Sequence, residues 1–364
     1  MGLIKGNFSF IRFAVEGQLP QAFHAFIDSR LKANSFRESR HATEEKRLGW
    51  VSATDILNTD FNKDDYALGD YLIFSLRVDH KLISPKLMKV RLLEEQKRFM
   101  TERGQARIGK AAGEDLKEKV KLELLARSEP VPSFYDVLWN IGQNRVYFSS
   151  LSDKVADDFV DLFKKTFSLG LKRIMPQEHP LLPQNLKREG DDDDATDFSL
   201  IGRGFLTWLW FKSEERNGRV ALSKTEEAEI HVLKRVVLEA GQGEYAQGVV
   251  CSGLHAELTE AKEAVRRGKK VKEAIVKIHR DQNEWEFYFK ADTFYFQSLK
   301  MPRTDWQATP EDQAGTLLER VYLIEEAAKT IDELYASFLK IRFSKDWEEK
   351  EKPLLARWVS REGV

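Results

Sequence analysis

The segment from Leu76 to Arg127 constrains this chain most. It has the spacing of two helices joined by a glycine-rich tip, and it sits between runs that read as β-strands. Upstream, Tyr71 to Val78 (YLIFSLRV) has the pattern of a buried strand. Downstream, Phe134 to Phe148 reads as two strands around a Gly142-Gln143-Asn144 turn. Ser84-Pro85 opens the first helix, with serine at the cap and proline at the position where a missing N–H does no harm. Leu87, Val90, Leu92, Leu93 and Phe99 are expected as its inward stripe, which leaves Lys86, Lys89, Lys97 and Arg98 facing outward. Gly104, Gly109 and Gly113 punctuate the tip. A second helix is expected from Glu114, with Leu116, Val120 and Leu124 on one face.

This hairpin is also where the charge is. Residues 81–110 hold nine Lys/Arg against Glu94, Glu95 and Glu102, a local charge of +6. The whole chain, with 58 basic and 59 acidic residues, sums to −1. A neutral protein with its cations gathered on one element has a polarised field, and the usual counterpart is a polyanion. The competing reading is a solvated lysine-rich helix with small i,i+3 and i,i+4 terms of the Glu94–Arg98 kind. The local excess favours the polyanion.

Elsewhere the chain alternates strands and helices. Asn7–Val15 reads as a strand, and Phe23, Phe26, Ile27 and Leu31 mark a helix after Pro20. Asp153–Leu169 reads as a helix capped by Gly170. Pro176, Pro180, Pro183 and the run Asp191–Asp194 suggest an exposed linker. An aromatic helix, Phe205–Phe211, opens the second half. Strands are expected at 230–238, 245–250, 271–278, 284–290 and 293–299, with a helix at 257–267 and a long one from Pro310 to Phe343. The fold class is α+β: two mixed halves with antiparallel sheets and an inserted basic helical hairpin. The expected division is 1–76 with 128–175, the hairpin at 77–127, an acidic proline-rich linker at 176–197, a C-terminal domain at 198–345 and a charged tail at 346–364.

Catalytic signatures are weak. Gly104 to Ala111 (GQARIGKA) completes G-x-x-x-x-G-K, but Ala111 stands where Ser or Thr would hold Mg²⁺, and a charged helix precedes it where a strand belongs. The seven histidines form no H-x-x-x-H pair, and Cys251 has no second thiol, His255 being four residues on across a Ser-Gly turn. No G-x-S-x-G elbow occurs. Trp208 and Trp210 fit a core better than a base-stacking platform. The single cysteine excludes an internal disulfide and points to a reducing compartment. Lys5 and Arg12 interrupt the apolar start, so no signal peptide is expected. The longest apolar run falls far short of a membrane span.

Several of these residues, in this order and spacing, resemble the bacterial recombination-associated protein RdgC family. They are Gly49-Trp50-Val51, Ser84-Pro85, Gln105-Ala106-Arg107, Leu116-Lys117-Glu118, Leu124-Leu125-Ala126-Arg127 and Trp139. Fainter likenesses follow at Phe205-Leu206-Thr207-Trp208-Leu209 and from Glu260 to Gly268-Lys269. The resemblance spans residues 1–340. It implies a curved protomer and a head-to-head homodimer closed into a ring around duplex DNA. It also implies binding without sequence preference that restrains RecA-driven strand exchange. Arg107 and Arg127 match basic positions of the family. Two departures leave ring closure open. The family's aromatic residue near the hairpin tip meets Ser128-Glu129-Pro130-Val131-Pro132 here, and a Lys-Gln pair is not matched near Ser252-Gly253-Leu254.

The expectation is therefore a non-enzymatic, cofactor-free, cytoplasmic and nucleoid-associated DNA-binding homodimer that modulates RecA-dependent recombination. Its ligand would be duplex DNA, with single strands left open, and no membrane is involved. The cations expected at phosphate are Lys81, Lys86, Lys89, Arg91, Lys97, Arg98, Arg103, Arg107, Lys110, Lys117, Lys121 and Arg127. The alternative is a protein–protein interaction factor of recombination that acts without encircling DNA. A nuclease or NTPase built on Lys110 is the third reading.

Overall fold

A computed structural model describes residues 2–21, 23–38, 43–183, 200–222, 225–241, 247–253, 259–302 and 313–360. The fold is mixed α/β with antiparallel sheets, and the chain forms two compact units. Unit 2 comprises Gly17–Val137 and Asp158–Leu169; unit 1 comprises Met1–Glu16, Leu138–Asp157 and Gly170–Val364.

In unit 2, helix α1 (Phe23–Ala33) buries Ile27 and Leu31, the pair its spacing puts on one side. Strand β2 (Lys46–Val51) pairs antiparallel with β4 (Tyr71–Lys81), and Trp50 lies opposite Leu76. A short helix α2 (Lys63–Tyr66) and strand β3 (Ala67–Leu68) lead into β4. Trp50 is fully buried, with Phe74 edge-on at 5.1 Å and Phe159 and Phe167 around it. Its indole N–H donates to Thr166 Oγ1 at 2.8 Å, so this large apolar body is buried without an orphaned donor. Gly49 beside it is required by close packing, since a Cβ there would lie 2.4 Å from Phe36 Cα. The Gly49-Trp50 pair is thus a packing device.

Helix α3 (Pro85–Arg103) and helix α4 (Lys110–Arg127) follow β4, and β5 (Pro130–Asn140) leaves the hairpin. Ser84 is the N-cap by position, but its hydroxyl makes no capping bond. Gly104 ends α3 in the left-handed region (φ 60°), its N–H on the Met100 and Thr101 carbonyls, a conformation that favours glycine. Helix α4 begins at Lys110, one turn earlier than its apolar spacing suggests.

Unit 1 holds strands β1 (Phe8–Glu16), β6 (Arg145–Phe148), β7 (Gly170–Arg173), β8 (Arg219–Ala221), β9 (Glu227–Ala240), β10 (Gln247–Ser252), β11 (Lys270–Arg280), β12 (Asn283–Lys290) and β13 (Tyr295–Lys300). Their order is β10-β9-β11-β12-β13-β1-β6; β7 adds to β1 and β8 to β9. Helix α5 (Asp153–Phe167) is followed by Ser168, not Gly170, in the left-handed conformation (φ 58°), and Gly170 already belongs to β7.

Helix α6 (Ile201–Glu214) is buried almost all round, Trp208 and Trp210 included, so these tryptophans are core residues. Its Thr207 hydroxyl accepts the Val271 N–H of β11 at 2.9 Å, fixing the helix on one face of the sheet. Helix α7 (Thr259–Arg266) follows β10, and helix α8 (Gln313–Arg342) buries Ile324, Ala327, Ile331, Leu334 and Tyr335. Asp332 of α8 receives both nitrogens of buried Arg12 at 2.8 Å and Arg145 at 3.0 Å. Burial pushes the Asp332 carboxyl up, but the two guanidiniums outweigh it and hold it below the usual carboxylate range.

Two segments expected to be exposed contain buried residues. In 176–197, Pro176 and Leu182 are buried and Tyr335 donates to the Pro176 carbonyl at 2.8 Å; Asp191–Asp194 lie outside the described residues. In the 346–364 segment, a π-helical turn (Trp347–Glu351) leads into α9 (Lys352–Ser360). Trp358 of α9 packs edge-on to Trp210 at 4.9 Å and donates to Glu214 at 2.6 Å.

Candidate nucleic-acid interface

Helices α3 and α4 carry all twelve cations singled out by sequence except Lys81, which ends β4, and Arg107, which lies in the turn between the helices. Their side chains fall into three groups. Lys81 is turned inward: it is 8% exposed, and its ammonium donates to the Leu125 carbonyl at 2.9 Å. There it meets the C-terminal end of α4, where unpaired carbonyls favour a cation. Its role is structural, and phosphate does not reach it in this conformation.

Arg91, Arg98 and Lys121 are tied to carboxylates. Arg91 meets Glu94 at 2.8 Å, Arg98 meets Glu95 at 2.9 Å and Glu102 at 3.5 Å, and Lys121 meets Glu45 at 2.5 Å. The hydrogen bond to Glu45 holds the Lys121 ammonium above its usual range. Lys119, absent from the sequence-derived set, bridges Glu95 across the hairpin at 3.6 Å. The remaining eight, Lys86, Lys89, Lys97, Arg103, Arg107, Lys110, Lys117 and Arg127, are exposed and form no ion pair among the described residues. Arg103 lies over the Phe99 ring at 4.6 Å, which leaves its charge available.

Helical spacing separates free cations from paired ones. Lys86, Lys89, Val90, Leu93 and Lys97 follow i, i+3, i+4, i+7 and i+11 and share one side of α3, which carries no carboxylate. Glu94, Glu95, Glu102, Arg91 and Arg98 occupy another. The expected inward stripe is corrected here: Leu87, Val90 and Leu93 are 44%, 52% and 48% exposed. The half-buried row is Met88, Leu92, Glu95 and Phe99, and α3 has no fully buried residue. The crossing ion pair from Glu95 to Lys119 faces this row toward α4. On α4 the buried residues are Leu116, Val120 and Leu125, the last replacing the expected Leu124.

The phosphate-loop lookalike keeps the wrong surroundings. Its first glycine caps α3, so no strand feeds it, and Ala111 lies inside α4. Among the described residues, no group of three or more His, Cys, Asp or Glu side chains is arranged to hold a metal ion. Among them too, no helix is long and apolar enough to cross a membrane.

Fold and site together define a mixed α/β protein of antiparallel sheets bearing a cation-rich helical hairpin. The family model described as "Putative exonuclease, RdgC" matches residues 9–182, a segment that includes the whole hairpin. Over that segment, a little under half of its length, the chain is similar to the RdgC family. A search of curated proteins gives no match.

Proposed function

We propose that this protein binds duplex DNA without sequence preference, through the exposed and unpaired cations of its helical hairpin. The observation that carries the reading is the set of eight such cations on the hairpin, against a whole-chain charge of −1. Lysine and arginine on a helix surface neutralise phosphates and read no base edge, so affinity follows salt and not sequence. Similarity to the RdgC family over residues 9–182 supports a role in recombination. In this reading a homodimer encircles or cradles DNA and limits RecA by occupying its substrate. The action is occupancy, not cleavage.

The test is a salt-titrated binding assay on linear and closed-circular duplex, with the mass of each complex measured alongside. Retention on circles and loss from free ends marks a closed ring. Arg107→Glu with Arg127→Glu weakens binding to every duplex by a similar factor. A flat salt response, or a loss confined to some sequences, defeats the reading. Divalent-ion-dependent release of nucleotides from DNA ends defeats the non-catalytic part and favours the exonuclease activity in the family's description.

The exposed Leu87, Val90 and Leu93 favour a second reading, a protein-binding surface on α3. Inhibition of strand exchange that survives excess competitor DNA would select it.

A further inference from the structure

A pocket of about 370 Å³ opens on the half-exposed face of the unit 1 sheet, opposite the face α6 covers. It exists because strand pairing is irregular there. The β12–β13 register shifts between Glu286 and Tyr288, and Ser298 takes a positive φ of 56° with its N–H on Ser9 Oγ at 2.8 Å. Such bulges re-aim side chains and open concave spots on a sheet. Strand β12 alternates cleanly: Trp285, Phe287 and Phe289 are buried, and Glu286, Tyr288 and Lys290 turn the other way.

Tyr288 lines the pocket with Ile275, and its hydroxyl donates to the Glu273 carboxylate, which fixes the ring's orientation. Gln297 and Ser298 add an amide and a hydroxyl. At the rim, Lys300 and Glu286 pair with each other and cancel. Arg235 of β9 is exposed and forms no ion pair among the described residues; its guanidinium interacts with the Tyr288 hydroxyl whose hydrogen bond Glu273 accepts, and its central carbon lies 6.0 Å from the Tyr288 ring centre.

An oriented aromatic ring, neutral hydrogen-bonding groups and one exposed guanidinium outside any ion pair complement a flat ring that carries an anion. We propose that this pocket holds one nucleotide of a single strand, with its base stacked on Tyr288 and its phosphate on Arg235. Every base has a π-face, so stacking of this kind tolerates any sequence. A duplex keeps its bases stacked inside and cannot use it, whereas an open sheet surface suits splayed single strands. The site shares no residue with the hairpin and goes beyond the duplex-binding reading.

The test uses the full chain, a short labelled oligothymidylate and a duplex of matching length. Tyr288→Leu and Arg235→Gln each weaken oligothymidylate binding on the order of tenfold and leave duplex binding unchanged. An oligonucleotide carrying 5-iododeoxyuridine crosslinks to the peptide containing Tyr288. Arg235→Gln changes only an exposed side chain and keeps the test decisive if Tyr288→Leu fails to fold. Unchanged oligothymidylate affinity in Arg235→Gln, or crosslinks confined to the hairpin, overturns the proposal. Displacement of the oligonucleotide by benzoate as readily as by thymidine monophosphate overturns it too, in favour of a general aromatic-acid pocket. Duplex binding that ignores Arg107→Glu defeats the hairpin reading and leaves this one standing.

Discussion

Replacing Lys89 and Lys97 together by glutamine separates local geometry from net charge. Both are exposed, unpaired and on the carboxylate-free side of α3. Withdrawing one cation from a phosphate flattens the slope of log K against log salt by about 0.9, so the double variant flattens it by about 1.8. Measured from 1 M salt, where the electrostatic part vanishes, that corresponds to about 1.8 log units, or roughly 60-fold, at 0.1 M. The control is Arg91→Gln with Arg98→Gln, which removes the same formal charge. Those guanidiniums already face Glu94, Glu95 and Glu102 and lie on another side of the helix. A helix is about 10 Å across and the Debye length at 0.1 M is about 10 Å, so their field at the lysine side is largely screened. The control slope therefore changes by less than about 0.5. Fluorescence anisotropy with a labelled duplex across a salt series reads both slopes. Equal changes in the two double variants refute the reasoning, because net charge alone would then govern binding.

Other perturbations probe the frame that holds the site. Asp332→Asn leaves the buried Arg12 guanidinium uncompensated and lowers the unfolding free energy by about 3–5 kcal/mol, read by denaturant titration; a fall below about 1 kcal/mol contradicts the burial argument. Asp332 and Asp153 are both held below their ordinary range, Asp153 by the Arg173 hydrogen bond against partial burial. The stability they contribute is complete above about pH 4 and falls as pH drops through the depressed values, so wild-type stability declines there and Asp332→Asn declines less. Gly104→Ala costs about 1 kcal/mol purely by conformation, since no atom lies within 4 Å of the added Cβ; a neutral result removes the left-handed cap. Trp358→Ala removes the anchor of α9 and speeds amide exchange in Lys352–Ser360 on the order of a hundredfold, and unchanged protection there refutes the docking.

What sequence made legible here was element type, and what it missed was facing. β4, α3, α4 and β5 follow in the order that Tyr71–Val78, Ser84-Pro85, the glycine tip and Phe134 announce, because strand alternation, a proline start and a glycine stop are local signals. The face of α3 is not local. Leu87, Val90 and Leu93 fit helical spacing, and so do Met88, Leu92 and Phe99. The choice between the two rows depends on α4, where Lys119 draws Glu95 inward. Lys81 reads as an outward cation for a similar reason. Its partner is a carbonyl 44 residues away at the far end of α4. Trp358 shows the same limit: one aromatic among charges looks like tail until the Trp210–Phe211 surface that receives it is known.

The turn of α3 bears directly on what its lysine side can bind. Had Leu87, Val90 and Leu93 faced inward, the outward side would have been purely cationic, and every favourable interaction with DNA would weaken with salt. As folded, Val90 and Leu93 stand between Lys86, Lys89 and Lys97, so the same surface offers two aliphatic side chains whose burial is insensitive to ionic strength. A second copy of α3 is a poor occupant, because an antiparallel pairing centred on Val90 and Leu93 sets Lys86 of one copy against Lys97 of the other. An anion with an apolar edge fits better. The sugar–phosphate backbone has that character, with charge on the phosphate oxygens and carbon on the deoxyribose. In the DNA-binding reading proposed above, the lysines would account for the salt-dependent part of affinity, and the aliphatic pair for a smaller part that persists at high salt.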